Sequence, residues 1–295
     1  GLAFCFNSGE AYYCSISEED SFLEIYQPFF NDKKILKIAH NLKFDAAILK
    51  SNNISLEGPF FDTMIAHYLL QPEQRHSMDF LANNYLSYKP IHIESLIGKK
   101  GKNQKSLKDI PLDLVKDYAA EDADITYQLY TLFKQLLLEA NIDHLFYEIE
   151  MPLAMVLMEM EHEGIQLNTE TLSVFSNQLN TSISKLKSTI YSYTDIEFNI
   201  DSPKQLGEIL FNELKLDSKA KKTKTGQFKT DEQTLVKLSS DHQIVKEILE
   251  YRQQKKLQST YVDALPKLIS KKTKRLHTTF MQGVTATGRL SSTNP

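Results

Sequence analysis

Tyr118 and Asp122 stand one helical turn apart in a stretch whose apolar residues recur at helical spacing. Val115, Tyr118, Asp122, Ile125 and Leu129 therefore share one face of a helix predicted over residues 112–139. An aspartate on an apolar face needs a partner, because an unpaired buried charge is costly. A metal ion is one such partner; a lysine or arginine from another element is the other. Asp45 adds a second carboxylate, in the first turn of the helix expected after the short apolar strand Ile35–Ala39. That is the edge at which layered α/β sheets place their sites. Two aspartates from different elements, beside a tyrosine hydroxyl, suit hydrolysis of a phosphodiester. Mg²⁺ prefers a few carboxylates completed by water and substrate phosphate. Two such ions stabilise both the attacking and the leaving oxygen. Tyr118 then orients the water instead of taking its proton, since a phenol of pKa about 10 is a poor source of phenolate.

The elements that position these residues follow from pattern. Leu2, Phe4 and Phe6 alternate with Ala3 and Cys5, and Asn7-Ser8-Gly9 turns the chain into a second strand, Ala11–Ile16. Residues 21–30 read as a helix. His40-Asn41-Leu42-Lys43 turns Ile35–Ala39 into a helix reaching about Lys50, and Asp62 is placed to cap the helix Thr63–Leu70. Alternating strands and helices predict an α/β layer domain. Asp62 is read as a cap and Asp124 as lying off the Tyr118–Asp122 face, so both stay outside the site. A boundary within 141–150 divides the chain into domains 1–142 and 143–295. Beyond it the pattern is helical. Gly164 ends the stripe Leu153, Val156, Leu157, Met160, and Asn168 caps a helix carrying Leu172, Phe175, Leu179, Ile183, Leu186 and Ile190. Ser202-Pro203 opens a helix through Leu214, Thr230 and Gln233 form a capping-box pattern, and a last helix covers Gln243–Ser259. Leu276–Val284 returns to strand-like alternation.

The 295 residues, 41% apolar and 24% charged, have the composition of a soluble globular protein of one to three domains. No apolar run approaches the roughly 20 residues that span a bilayer, and no signal-peptide pattern is present. Cys5 and Cys14 make neither a disulfide framework nor a metal-ligand spacing. The expectation is a reduced, cytoplasmic protein without membrane contact. Net charge is −4, yet Lys215, Lys219, Lys221, Lys222, Lys224 and Lys229 face Asp217 alone within 215–229, and Lys271, Lys272, Lys274 and Arg275 form a second cluster. Such asymmetry suits a protein that grips phosphates in one place and holds cations in another; solvated loop lysines are the plainer explanation.

Three strings share an order and spacing with a known family. His40-Asn41-Leu42-Lys43-Phe44-Asp45, Phe61-Asp62-Thr63-Met64 and Tyr118-Ala119-Ala120-Glu121-Asp122-Ala123-Asp124 resemble the second and third exonuclease motifs of the family A DNA polymerases. The resemblance implies an RNase H-like, DEDD-type α/β exonuclease domain over 1–142. In it Asp45 and Asp122 are metal ligands and Tyr118 positions the attacking water, with two Mg²⁺ or Mn²⁺ ions in the complete site. Asn41 matches a position near the 3′ end of the trimmed strand, and Arg75 one that approaches substrate phosphates. The family's first motif, an Asp-x-Glu on a strand expected before Gly1, supplies two further carboxylates. Without it the expectation is weak metal binding and weak or absent activity.

Ile149-Glu150-Met151-Pro152-Leu153, Glu163-Gly164-Ile165, Leu249-Glu250-Tyr251-Arg252, Ser259-Thr260-Tyr261 and Thr285-Ala286-Thr287-Gly288-Arg289-Leu290-Ser291-Ser292 resemble the same family's thumb and its return to the palm. This implies a mostly α-helical second domain, its lysine-rich 219–229 loop forming the thumb tip. Arg252 and Lys256, at i and i+4, form one patch that can neutralise phosphates without reading sequence. Arg289 follows a glycine that lets the backbone approach a duplex, and its donors suit the degenerate acceptors of the minor groove; the resemblance places it near the primer terminus. The implied partners are a single-stranded 3′ end at the exonuclease site and a primer–template duplex at the thumb, with the chain a monomer. The nucleotide-transfer aspartates of the family fall beyond Pro295. The reading is therefore part of a template-directed polymerase of replication and repair, carrying proofreading and duplex grip but not nucleotidyl transfer. A free-standing RNA or DNA exonuclease of the same fold and a non-catalytic DNA-binding scaffold are the alternatives.

Overall fold

The computed structural model describes residues 1–16, 22–194 and 196–294, so the first residue of the helix expected at 21–30 lies outside the described residues. The chain forms two compact units: Gly1–Gly164 together with His277–Asn294, and Ile165–Leu276.

The first unit opens with the antiparallel hairpin β1 (Leu2–Asn7) and β2 (Glu10–Cys14), in the register Leu2↔Cys14 and Cys5↔Ala11. Helix α1 (Phe22–Asn31) leads to β3 (Lys37–Ala39), α2 (Leu42–Ser51) and β4 (Phe60–Asp62). Because α2 carries the chain back across the layer, β3 and β4 pair in parallel, Ile38 opposite Phe61. Then follow α3 (Thr63–Leu70), α4 (Met78–Tyr85), the short α5 (Ile93–Ile97), a 3₁₀ turn at Leu107–Asp109 and the long α6 (Leu112–Glu139). After α7 (Asp143–Leu145) and a π-turn at Phe146–Glu150 comes α8 (Met151–Glu163). Near the C-terminus β5 (Thr279–Met281) and β6 (Ser291–Thr293) form a second antiparallel pair in this unit. Among the described residues the strands thus pair two at a time, with helices layered on them.

The core of this unit gathers Phe61, Ile65, Leu81, Ile125, Leu129, Phe133 and Leu137 with Phe146, Met151 and Ala154. Phe61 meets Phe146 at 4.6 Å and Tyr130 at 4.9 Å between ring centroids. Those last three core residues carry the unit past 142/143, where the sequence suggested a division, to Gly164. There φ turns positive (70°) and ends α8.

The second unit packs α9 (Thr169–Tyr191), α10 (Pro203–Glu208), α11 (Glu232–Ser239) and α12 (Gln243–Leu257), π-turns extending α10 through Glu213 and α12 through Val262. Leu179, Ile183, Leu186 and Ile190 of α9 meet Leu206, Leu210, Ile244, Val245 and Ile248. Asn168 and Ser202 cap α9 and α10 as their types predict, accepting from the N–H of Thr171 and Gln205. The capping box expected at Thr230–Gln233 does not form. Asp231 caps α11 through the Thr234 N–H, while Thr230 is buried and turned to Arg252. The lysine-rich segment closes as a small hairpin, with Lys222 over the Phe228 ring at 4.4 Å and Gly226 at φ 82° in its turn. Where the unit begins and ends, Ile165 and Leu276 exchange two backbone hydrogen bonds of 2.8 Å.

Candidate active site

The N-termini of α2 and α3 converge on Asp62. Asn41 adopts a left-handed conformation (φ 67°, ψ 53°), which asparagine tolerates better than most residues. The amides of Asn41 and Leu42 then donate to the Asp62 carboxylate at 3.1 and 2.7 Å, and those of Met64 and Ile65 at 2.8 and 3.3 Å. With four donors on a side chain 1% exposed, Asp62 is a cap for two helices, the role its position in the sequence predicts. Asp124 likewise serves structure, accepting from the Gly9 amide at 2.7 Å and from Gln128 at 2.8 Å, which ties the hairpin to α6.

Asp45, in the first turn of α2, and Tyr118 and Asp122, on α6, all line one cavity of about 520 Å³ bounded also by β1, β3 and His40. The Tyr118 hydroxyl donates to the Asp122 carboxylate. Burial first, and then the Asp122 charge, pushes the phenol well above its ordinary value, so it remains a protonated donor throughout the neutral range. Burial also raises Asp122 to about 6, against the Tyr118 hydrogen bond that lowers it, with the charges of Glu121 and Asp79 adding to the rise. Asp45 reaches about 6, through burial and then the charge of Asp62. Its surface is open to the cavity, yet protein crowds that opening and strips much of its water.

Asp45 makes no hydrogen bond or ion pair with a described residue, and the Asp122 side chain takes only the Tyr118 hydroxyl. Both carboxylates therefore keep free oxygens. Among the described residues no group of three or more His, Cys, Asp or Glu side chains is arranged to close around a metal. An anionic, oxygen-only pair fits a hydrated divalent cation that completes its sphere with water and substrate oxygens.

The other residues selected from sequence are placed as follows. The Asn41 side chain makes no hydrogen bond with a described residue; its backbone shapes the start of α2. Arg75 is exposed in the loop between α3 and α4. Arg289 is exposed beside a turn in which Gly288 has φ 74°, and its carbonyl accepts from the Thr285 hydroxyl at 2.5 Å. Tyr68 holds that turn by donating to the Thr285 carbonyl at 2.8 Å. In the second unit Lys256 is exposed, but Arg252 does not form one free patch with it. The guanidinium is half-buried and donates to the Thr230 carbonyl at 2.5 Å.

Sequence reasoning passed over three features. Asp79, four residues after Arg75, lies near enough for its charge to raise Tyr118 and Asp122. Lys43 forms a largely buried ion pair with Glu161 and donates to the Phe280 carbonyl. His67 lies fully buried between His76 (Nδ1 to Nδ1, 2.7 Å) and the Tyr85 hydroxyl (3.1 Å), its pKa lowered by burial to about 4. Of the three, Lys43 lay within the His40–Asp45 string already singled out and Asp79 four residues past Arg75, while His67 stood outside both.

Comparison with known proteins agrees with this layout. The family model for 3′–5′ exonuclease matches residues 2–138, and that for DNA polymerase family A matches residues 169–295. DNA polymerase I of Borreliella burgdorferi is 39% identical over all of this chain and 32% of its own length. That of Synechocystis is 42% identical over 88% of the chain and 26% of its own length. The chain thus spans about a third or less of the curated relatives it matches. A solved structure, the POL domain of Pol1 from M. smegmatis in complex with DNA primer-template and dNTP, aligns with a TM-score of 0.77 and 29% identity. That alignment covers 96% of this chain and 46% of the other. With the two models following one another in the order of the motifs and the Borreliella relative matched along all of this chain, the chain belongs to DNA polymerase family A, over its 3′–5′ exonuclease domain and the start of its polymerase domain.

Proposed function

We propose that the first unit hydrolyses the 3′-terminal phosphodiester of single-stranded DNA, and that the second unit grips primer–template duplex within a template-directed polymerase. The observation that carries the hydrolytic reading is the pair formed by Tyr118 and Asp122, which faces the same cavity as Asp45. Asp45 and Asp122 hold divalent cations, Mg²⁺ or Mn²⁺. Such ions supply Lewis acidity at the phosphate and make water more acidic. Tyr118, kept protonated, holds the attacking water in line by its hydroxyl oxygen while its O–H donates to the Asp122 carboxylate. Water adds to phosphorus as the P–O3′ bond breaks; the proton that the water loses is matched by one that the departing O3′ takes from solvent, leaving a shortened strand with a free 3′-hydroxyl and a 5′-mononucleotide. Asn41 and Arg75 are assigned to the terminal nucleotide and its phosphates, and Arg289 to the primer end.

The test uses the full-length protein and 5′-labelled single-stranded DNA, with Mg²⁺, with Mn²⁺ or with chelator. Stepwise shortening from the 3′ end that needs the metal and disappears in Asp122→Ala is the expected result. Shortening that survives in that variant, or bound DNA that is never shortened, would overturn the assignment.

Duplex binding separates the two cations of α12. Lys256→Ala is expected to reduce the slope of log affinity against log salt by about 0.9, the loss of one phosphate contact. Arg252→Ala, which removes the bond to Thr230, is expected to lower thermal stability and leave that slope unchanged. A slope that falls with Arg252 and not with Lys256 would reverse the assignment.

A further inference from the structure

The first unit carries a basic loop that none of the site residues explains. Between α5 and the 3₁₀ turn, Lys99, Lys100, Lys102 and Lys105 are all exposed, and no acidic residue occurs between Glu94 and Asp109. None of the four forms an ion pair with a described residue. The loop nevertheless has a built form. Gly98, at φ 82°, closes α5 by donating to the Glu94 carbonyl at 2.9 Å. The Lys105 amide reaches back to the Ile97 carbonyl at 2.9 Å, and the Gln104 amide to the Gly101 carbonyl at 3.1 Å. Ser106 and Asp109 then cap each other's amides in a capping box. Four like charges held together without counter-ions repel one another, an arrangement that an anion arriving from outside relieves.

Its position is fixed relative to the catalytic cavity on two sides. After the capping box the chain runs through Ile110 and Pro111 straight into α6, the helix bearing Tyr118 and Asp122. On the other side, the segment leading to α5 is fastened to α6 next to Asp122. Glu121 accepts the Tyr88 hydroxyl at 2.5 Å and the Ile91 amide at 2.7 Å. The acids that follow the loop are already engaged: Asp109 caps Ser106, and Asp113 and Asp117 share Lys116.

We infer that the Gly98–Ser106 loop is a secondary phosphate-binding surface for single-stranded DNA, holding the strand several nucleotides upstream of the 3′ end that enters the cavity. This rests on the reading of the cavity as a 3′-end site. From Asp122 to the start of α6 the helix rises about 15 Å, at about 1.5 Å per residue. A stacked strand covers that in about four nucleotides, at about 3.4 Å each. The loop, which precedes that start along the chain, is accordingly assigned to phosphates upstream of the terminal ones. Contacts of this kind position a strand without reading its bases.

The experiment compares the full-length protein with its K99Q/K102Q variant in the presence of Ca²⁺, so that binding is read apart from cleavage. The probes are a fluorescent trideoxynucleotide and a fluorescent decadeoxynucleotide, titrated over a range of salt. For the decamer the slope of log affinity against log salt is expected to fall by about 1.4, or about 0.7 for each lysine on a single strand, with affinity near 0.1 M salt weakened on the order of tenfold. The trimer is expected to bind both proteins alike. An unchanged decamer slope overturns the inference, as does an equal loss for both lengths, which would locate the lysines at the cavity itself. Failure of the wild-type protein to bind either probe would instead overturn the reading of the cavity as a 3′-end site.

Discussion

Asp122→Asn is expected to abolish 3′ shortening while making the metal-free protein more stable. The activity loss follows from removing an anionic ligand worth several kcal/mol of transition-state stabilisation, on the order of a thousandfold or more in rate. The gain in stability follows from linkage. The folded-state pKa of Asp122 is raised from 3.8 to about 6, so the ionised form is disfavoured in the folded protein. That penalty is fully present above about pH 6 and fades as pH falls toward 3.8. Asparagine removes the charge and keeps an oxygen for the Tyr118 hydroxyl. At pH 7 the variant is expected to gain about 1–3 kcal/mol without metal, and nothing near pH 4. Added Mg²⁺ should stabilise the wild type and not the variant, and its affinity for the wild type should drop as pH falls below about 6, where protons compete for the same oxygens. Denaturant titrations at pH 7 and 4, with and without the cation, check each arm. A variant no more stable than the wild type at pH 7 would mean that the Asp122 carboxylate is already satisfied in the folded chain.

Asp62→Ala is expected to be the most damaging single substitution in the first unit. An ordinary N-cap contributes about 0.5–2 kcal/mol. Here one carboxylate takes four amides from two helices, and its removal leaves buried donors unmatched. A loss of about 3–5 kcal/mol is expected, measured as a shift in denaturation midpoint. Because α2 starts on this cap and carries Asp45 in its first turn, hydrolysis should fail with it even at temperatures where the protein remains folded. If the variant unfolds near the wild-type midpoint, water has replaced the carboxylate and the site is less sealed than its 1% exposure indicates.

The elements were legible where the signal is local. Helical spacing located α6 and α9, and the caps Asp62, Asn168 and Ser202 followed from residue type and position. The same local logic failed at Thr230. A Thr followed three residues later by Gln matches a capping box, but an adjacent Asp231 competes for the role, and the pattern cannot say that Arg252 draws Thr230 inward. Arg252 was misplaced for a related reason. Helical spacing correctly sets it one turn from Lys256, yet whether a guanidinium points to solvent or to a carbonyl 22 residues away is settled by tertiary packing. The compact first unit runs past 142/143 because Phe146–Ala154 pack into its core, and their apolar types announce burial without announcing against what. Partners distant in sequence, such as Lys43 with Glu161 and Asp124 with Gly9, have no signature in one sequence at all.

The return of His277–Asn294 to the first unit has a temporal consequence. On the ribosome, the chain finishes Gly164 and must then synthesise the whole intervening stretch before β5 exists. At about 5–20 residues per second, that interval of roughly 110 residues lasts about 6–20 s. Throughout it Glu161, Lys43 and Glu150 wait for the Phe280 and Gln282 groups that complete their hydrogen bonds. The second unit, whose two ends meet at the Ile165–Leu276 rung, is free to close on its own core first. The order of assembly is therefore nested: the later-encoded module matures inside the earlier one, and the earlier one is sealed last.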